Sequence, residues 1–360
     1  MGRWMIVLAV LLVSACAGHR QPLPAAALDT HVLLSGERLA FAAPEPVDDS
    51  QWLETDPAMA AFAAEHAAGG NNSDNFVAMI SALLRASPGG FSYDATTTLN
   101  ASQSYQQQRG NCLSLAAMVV AIGRAAGFDT RFQRVDMPPE WNLRHNTAVF
   151  NLHINSVALF RHDRVMEVEL GGRGVQQDHG RALLTDAEAL AEYHNNLGAE
   201  ALIAGNLPRA YAHLRRALEL APHISHIWSN LAAFYRNQQD DLAAEAAWLQ
   251  ALQHSGEQLP ALSGLQRLYQ QQGKTALAEQ LQSRVAFYRQ SNPFYHYMLG
   301  YQAFEQGDYA AARREVKLAI ARLRDPRFEA LLAAIDEQQK VQALLATEES
   351  GIGRRQGLME

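Results

Sequence analysis

The strongest constraint in this sequence is a repeat of 34 residues in its C-terminal half. Leu197, Leu231, Leu265 and Leu299 keep that interval. So do the small residues Ala210, Ala244, Ala278 and Ala312, and the set Ala217, Ala251, Val285 and Ala319. Gly205, Gly273 and Gly307 fall where one helix of a pair would turn into the next, with Asp240 and Asp241 near that place in the second copy. Pro222 closes the first copy. A helical hairpin has a face that it cannot bury alone, and small residues let the next hairpin approach closely. The interval therefore predicts four stacked hairpins from about residue 191. An amphipathic helix over 327–346 caps the stack, and residues 347–360 are expected to be disordered.

These positions resemble the tetratricopeptide (TPR) repeat over 191–324. The resemblance implies that the first helix of each repeat lines a concave, partner-binding face. By that phasing the face carries Arg236 and Asn237, then Arg267 and Gln270, then Phe294, Tyr297, Tyr301 and Phe304. Tyr297 and Tyr301 stand four apart and share one side of a helix. Aromatic and Arg side chains often carry interface energy, so the expected partner is an envelope protein or peptide. The alternative is that the aromatics pack against the capping helix or the neighbouring domain.

The chain opens MGRWMIVLAVLLVSACAG. Arg3 precedes an apolar run too short for the about 20 residues that span a bilayer. The order of charge, apolar run and small residues is that of a signal peptide. Val13-Ser14-Ala15-Cys16 resembles the lipobox of bacterial lipoproteins, with Val13 where Leu is usual. That resemblance implies that residues 1–16 are a lipoprotein leader whose Cys16 is lipidated and becomes the first residue of the mature chain, and Ala17 favours the outer membrane, with the body facing the periplasm. Residues 17–50 read as an irregular tether with a short strand at HVLL. The net charge of −7, without a basic block, argues against nucleic acid.

Between tether and repeats, 51–185 read as an α+β domain. Two helices, from Asp56-Pro57 to Gly69 and over 76–84, precede an extended FSYD. A helix beginning at Cys112 follows, then strands over 128–135, 148–160 and 165–170, with Pro138-Pro139 as a break. Only Cys16 and Cys112 are cysteines. With Cys16 taken by lipid, Cys112 is a lone thiol in an oxidising compartment. A helix start lowers a thiol pKa through free N–H groups and the macrodipole.

Gly110-Asn111-Cys112, a helix ending RAAGF, and the strand TRFQRV resemble the transglutaminase-like superfamily of papain-related folds. The resemblance implies a Cys nucleophile, a His base opening one strand and an acid closing the next. His153 and Glu169 fit this plan across a hairpin centred near 162–163; His145 and Glu167 are the alternates. The family usually carries Asp at the acid position. The expected fold is thus a transglutaminase-like α+β domain followed by an all-α TPR solenoid. The expected activity is a thiol-dependent peptidase or amidase, with an inert scaffold as the alternative. No HExxH occurs, and neither metal nor cofactor is expected.

Overall fold

A computed structural model describes residues 22–85, 90–144, 147–162, 164–169, 179–256 and 258–356. Among them the chain is mostly helical, with a small four-stranded sheet and a two-stranded parallel pair.

The first element corrects the expected tether. HVLL lies in a helix, α1 (Thr30–Ser35), because the Asp29 side chain accepts a hydrogen bond from the His31 N–H and caps it. Leu33 is buried against the helical array. Its carbonyl accepts from the hydroxyls of Tyr211 and Tyr235, at 3.2 and 2.6 Å. Arg38 grips Asp240 through two 2.7 Å bonds. Residues 22–50 therefore form a strap bound along the array. Two tyrosines whose hydroxyls are buried need an acceptor, and the strap supplies it.

Next come α2 (Pro57–Ala67), α3 (Ser73–Leu84), β1 (Ser92–Tyr93), α4 (Ala101–Gln107), β2 (Arg109–Gly110) and α5 (Cys112–Ala125). Helix α4 lies between FSYD and the Cys112 helix, where the sequence predicts no element; Asn100 and Gln103 cap it reciprocally. The sheet follows: β3 (Asp129–Arg144), β4 (Thr147–Leu159), β5 (Val165–Val168) and β6 (Arg181–Leu184). Its order is β5-β4-β3-β6, with every pair antiparallel. Pro138 and Pro139 do not end β3. They sit where its register with β4 shifts, between Val135 and Glu140, so their missing N–H groups fall in an interrupted part of the ladder. Beyond the shift, β3 and β4 continue as a ribbon, and β3 also touches the helix that opens the fourth hairpin.

Helix α5 packs across β3 and β4. Leu115, Val119 and Ile122 are buried in one core with Phe132, Ile154, Ala158 and Val168. Trp52, 6% exposed, stacks on Phe132 of β3 and meets Tyr193 of the following helix, at centroid separations of 5.9 and 4.4 Å.

The array consists of α6 (Asp186–Ile203), α7 (Leu207–Leu220), α8 (Ser225–Asn237), α9 (Asp241–His254), α10 (Leu259–Gln271), α11 (Thr275–Ser291), α12 (Pro293–Glu305) and α13 (Tyr309–Arg322). These are four consecutive hairpins stacked in a solenoid-like row. The repeated small positions Ala210, Ala244, Ala278 and Ala312 are all buried, as are Ala217, Ala251, Val285 and Ala319. The turn glycines Gly205, Gly273 and Gly307 have φ of 77°, 71° and 76°; Gln239 takes the equivalent left-handed place in the second hairpin. The last helix, α14 (Pro326–Gln356), passes the expected end at 346 and continues through part of the segment read as a disordered tail. No proline interrupts 327–356, and Gly351 and Gly353 weaken a helix without breaking it.

Where strap and array meet, Asp49 accepts from Arg216 and lies 2.8 Å from His194 Nε2. The His194 and His213 rings stack, with their Nδ1 atoms 2.9 Å apart. Burial pushes His213 down to about 4, with His194 and Arg209 adding to the effect against Asp49; burial also lowers His194. The native state thus holds His213 neutral, while the unfolded chain takes up a proton near 6.5. Stability is full above that pH and falls between about 6.5 and 4, because the unfolded state binds the proton first. Urea midpoints of the intact protein at pH 7 and pH 5 should differ in that direction, and His213→Gln should shrink the difference.

Candidate active site

Cys112 is the first residue of α5 and is partly exposed. The helix start is built tightly. Asn111, the N-cap, accepts from the Ser114 N–H and Oγ at 2.9 Å each, and donates to Thr98 Oγ1 at 2.7 Å. Thr98 in turn donates to Glu200 of α6 at 2.7 Å. Ser114 Oγ also receives the Leu99 N–H. Gly110 has φ of 145°, and a Cβ there would stand 2.5 Å from Ser114 Cβ, so only glycine fits before the cap. Asp94, hydrogen-bonded to Thr96 and Thr97 and paired with Arg109, is held down at about 2 and ties the preceding turn. The thiol is therefore presented from a fixed helix N-terminus, where backbone N–H groups favour the thiolate.

His153 lies on β4, opposite Val135, and is 8% exposed. Its Nε2 is 2.6 Å from Glu169 Oε2. Glu169 thus meets His153 at the spacing read from sequence, and its extra methylene does not prevent contact. Nε2 is the ring nitrogen that Glu169 engages. The alternate acid is otherwise engaged: Glu167 accepts from Arg181 Nε at 2.5 Å. The alternate base His145 lies outside the described residues, as does Cys16. His162 sits exposed in the hairpin turn with φ of 62°.

Asn155 joins the dyad, donating from Nδ2 to Glu169 Oε2 at 3.2 Å. The sequence reading missed it. Alternation along a strand was the available signal, since a residue two after His153 shares its face.

The predicted partner face divides. Phe294 is buried and meets Phe328 of α14 edge-on, while Tyr297 stacks on the same ring at 5.0 Å. Phe304 packs against Tyr309. These three belong to the core beneath the last helix. Tyr301 is 48% exposed. Arg236 is tied to Asp241 and Gln271. Asn237, Arg267 and Gln270 are exposed.

Among the described residues, no group of three or more His, Cys, Asp or Glu side chains is arranged to hold a metal ion. No helix among them is long and apolar enough to cross a membrane. No protein-family model matches the chain. No curated protein matches it either.

Proposed function

We propose that this is an exported thiol enzyme of the transglutaminase-like type, carrying a TPR-type partner-binding array. The observation that carries the reading is the His153–Glu169 contact at 2.6 Å, next to a sheet crossed by the helix that begins with Cys112. In this reading the Cys112 thiolate attacks an amide carbonyl. The His153 imidazolium gives its proton to the departing nitrogen as the C–N bond breaks, leaving a thioester on Sγ. Water or an amine then attacks the thioester, His153 takes its proton, and the C–S bond breaks to restore the thiolate. Glu169 orients the ring and stabilises its charged form. The substrate class is a peptide or peptidoglycan-linked amide of the cell envelope.

The experiment is acylation by an activated ester. Intact-protein mass should show one acyl group, on Cys112, absent from Cys112→Ser. No adduct on Cys112 would remove the enzyme reading.

A second reading, an inert envelope scaffold, has one observation in its favour. Ile154 and Ala158 pack in the core with α5, so alternation puts His153 and Asn155 on the other face of β4. The acylation experiment separates the two readings.

The anchor is proposed on the sequence alone: lipid on Cys16 and attachment to the outer membrane, facing the periplasm. Cys16→Ser should release the protein from the membrane fraction, and salt-resistant retention would contradict this. For the array, exposed Asn237, Arg267, Gln270 and Tyr301 are the remaining candidates for contact with an envelope protein or peptide. Capture of such a partner should weaken in Arg267→Ala.

A further inference from the structure

Three polar side chains stand in register across the sheet. Gln133 on β3 lies directly opposite Asn155 on β4. Ser156 pairs with Val168, so Asn155 faces Glu169, one residue past the end of β5. Directly opposed residues point to the same face. Gln133, Asn155 and Glu169 therefore form one polar row, and His153 follows two residues along β4 on that face.

The row is buried. Gln133 is 6% exposed and Asn155 3%. A buried amide is costly to leave unbonded, which makes a row of them a specific feature rather than filler. Asn155 Nδ2 donates to the same oxygen, Glu169 Oε2, that meets His153 Nε2. A carboxylate only accepts, so this bond fixes which way the Asn155 amide faces. Its Oδ1 then points away from Glu169. That oxygen and Gln133 Oε1 are both buried without a partner. Turning the Gln133 amide about its last torsion presents Nε2, a donor, to that neighbourhood, with no movement of the backbone.

We propose that Asn155, supported across the ladder by Gln133, is the positioning residue of the dyad. The amide of Asn155 holds the Glu169 carboxylate in one orientation. Oε2 then fixes the His153 ring by its Nε2–H. The inference rests on the proposed thiol chemistry for its catalytic meaning, but its geometry can be read independently.

The test uses the full chain and two readouts. The first is the proton resonance of the His153 ring N–H, assigned by its loss in His153→Ala. The second is the acylation rate of Cys112. In the wild type the ring proton should be shifted to low field and slow to exchange. Asn155→Leu keeps the shape and removes the amide. It should broaden that signal away and slow acylation about tenfold or more at pH 7. Asn155→Asp puts a second carboxylate against Glu169. Its rate relative to wild type should rise as the pH falls and one of the pair takes a proton, a pH profile that a merely structural role would not produce. Gln133→Leu should give a smaller loss in both readouts.

A folded Asn155→Leu protein with wild-type ring signal and rate would overturn the proposal. If that variant does not fold, unchanged readouts in Gln133→Leu would do the same. A wild type that is never acylated, but whose ring proton responds to Asn155→Leu, keeps the positioning row and removes the enzyme reading. Acylation that is normal and insensitive to both substitutions removes the row alone.

Discussion

His153→Ala should reduce acylation of Cys112 by about 10²- to 10⁴-fold, the range that a positioned acid–base group contributes. The imidazole is held by Glu169 Oε2 at 2.6 Å through Nε2. Removing the ring removes both the proton acceptor and the cation that stabilises a thiolate. Glu169→Gln should cost less than this, because an amide can still bond the ring but cannot stabilise its charge. Glu167→Ala is the internal control. Glu167 is bound to Arg181, so acylation should stay near wild type. The reverse pattern, with Glu167 important and Glu169 silent, would reassign the acid.

Trp52→Ala should destabilise the protein by about 3–5 kcal/mol, the usual cost of deleting a large buried aromatic. Trp52 fills the junction between the sheet and the array, stacked on Phe132 and touching Tyr193. The loss should appear as a lower denaturant midpoint for both parts of the molecule. Phe132 is fully buried, so a cavity there loosens β3, the strand that pairs with the His153 strand. If the sheet and the array unfold as before, the junction carries less of the stability than its burial implies.

The repeated small residues made the array legible, because their 34-residue interval has no other simple cause; all eight of the Ala and Val positions used are buried. The dyad was legible for a similar reason. A hairpin turning near 162 fixes which residues face each other; it puts Glu169 opposite Asn155, and the carboxylate reaches His153 two residues along the same face. Short elements were not legible. HVLL is too brief to separate a period of 2 from one of 3.6, and it is helical because of the Asp29 cap and the contact of Leu33 with the array. RALL, which forms β6, has the same defect. The strap's docking depends on Tyr211 and Tyr235, about 180 and 200 residues away in sequence, and no local pattern reports it. The aromatic groove failed at Tyr297 because a terminal repeat is covered: Phe328 of α14 takes the surface that an interior repeat would leave open.

The measurement that bears most directly on the account is the rate at which Cys112 in the wild-type protein is acylated between pH 6 and 8, compared with a free cysteine thiol near 8.5. The account predicts a rate well above that of the free thiol at pH 6 to 7, with the excess lost in His153→Ala. A rate that merely follows the ionisation of an ordinary thiol, and is the same in His153→Ala, would contradict it.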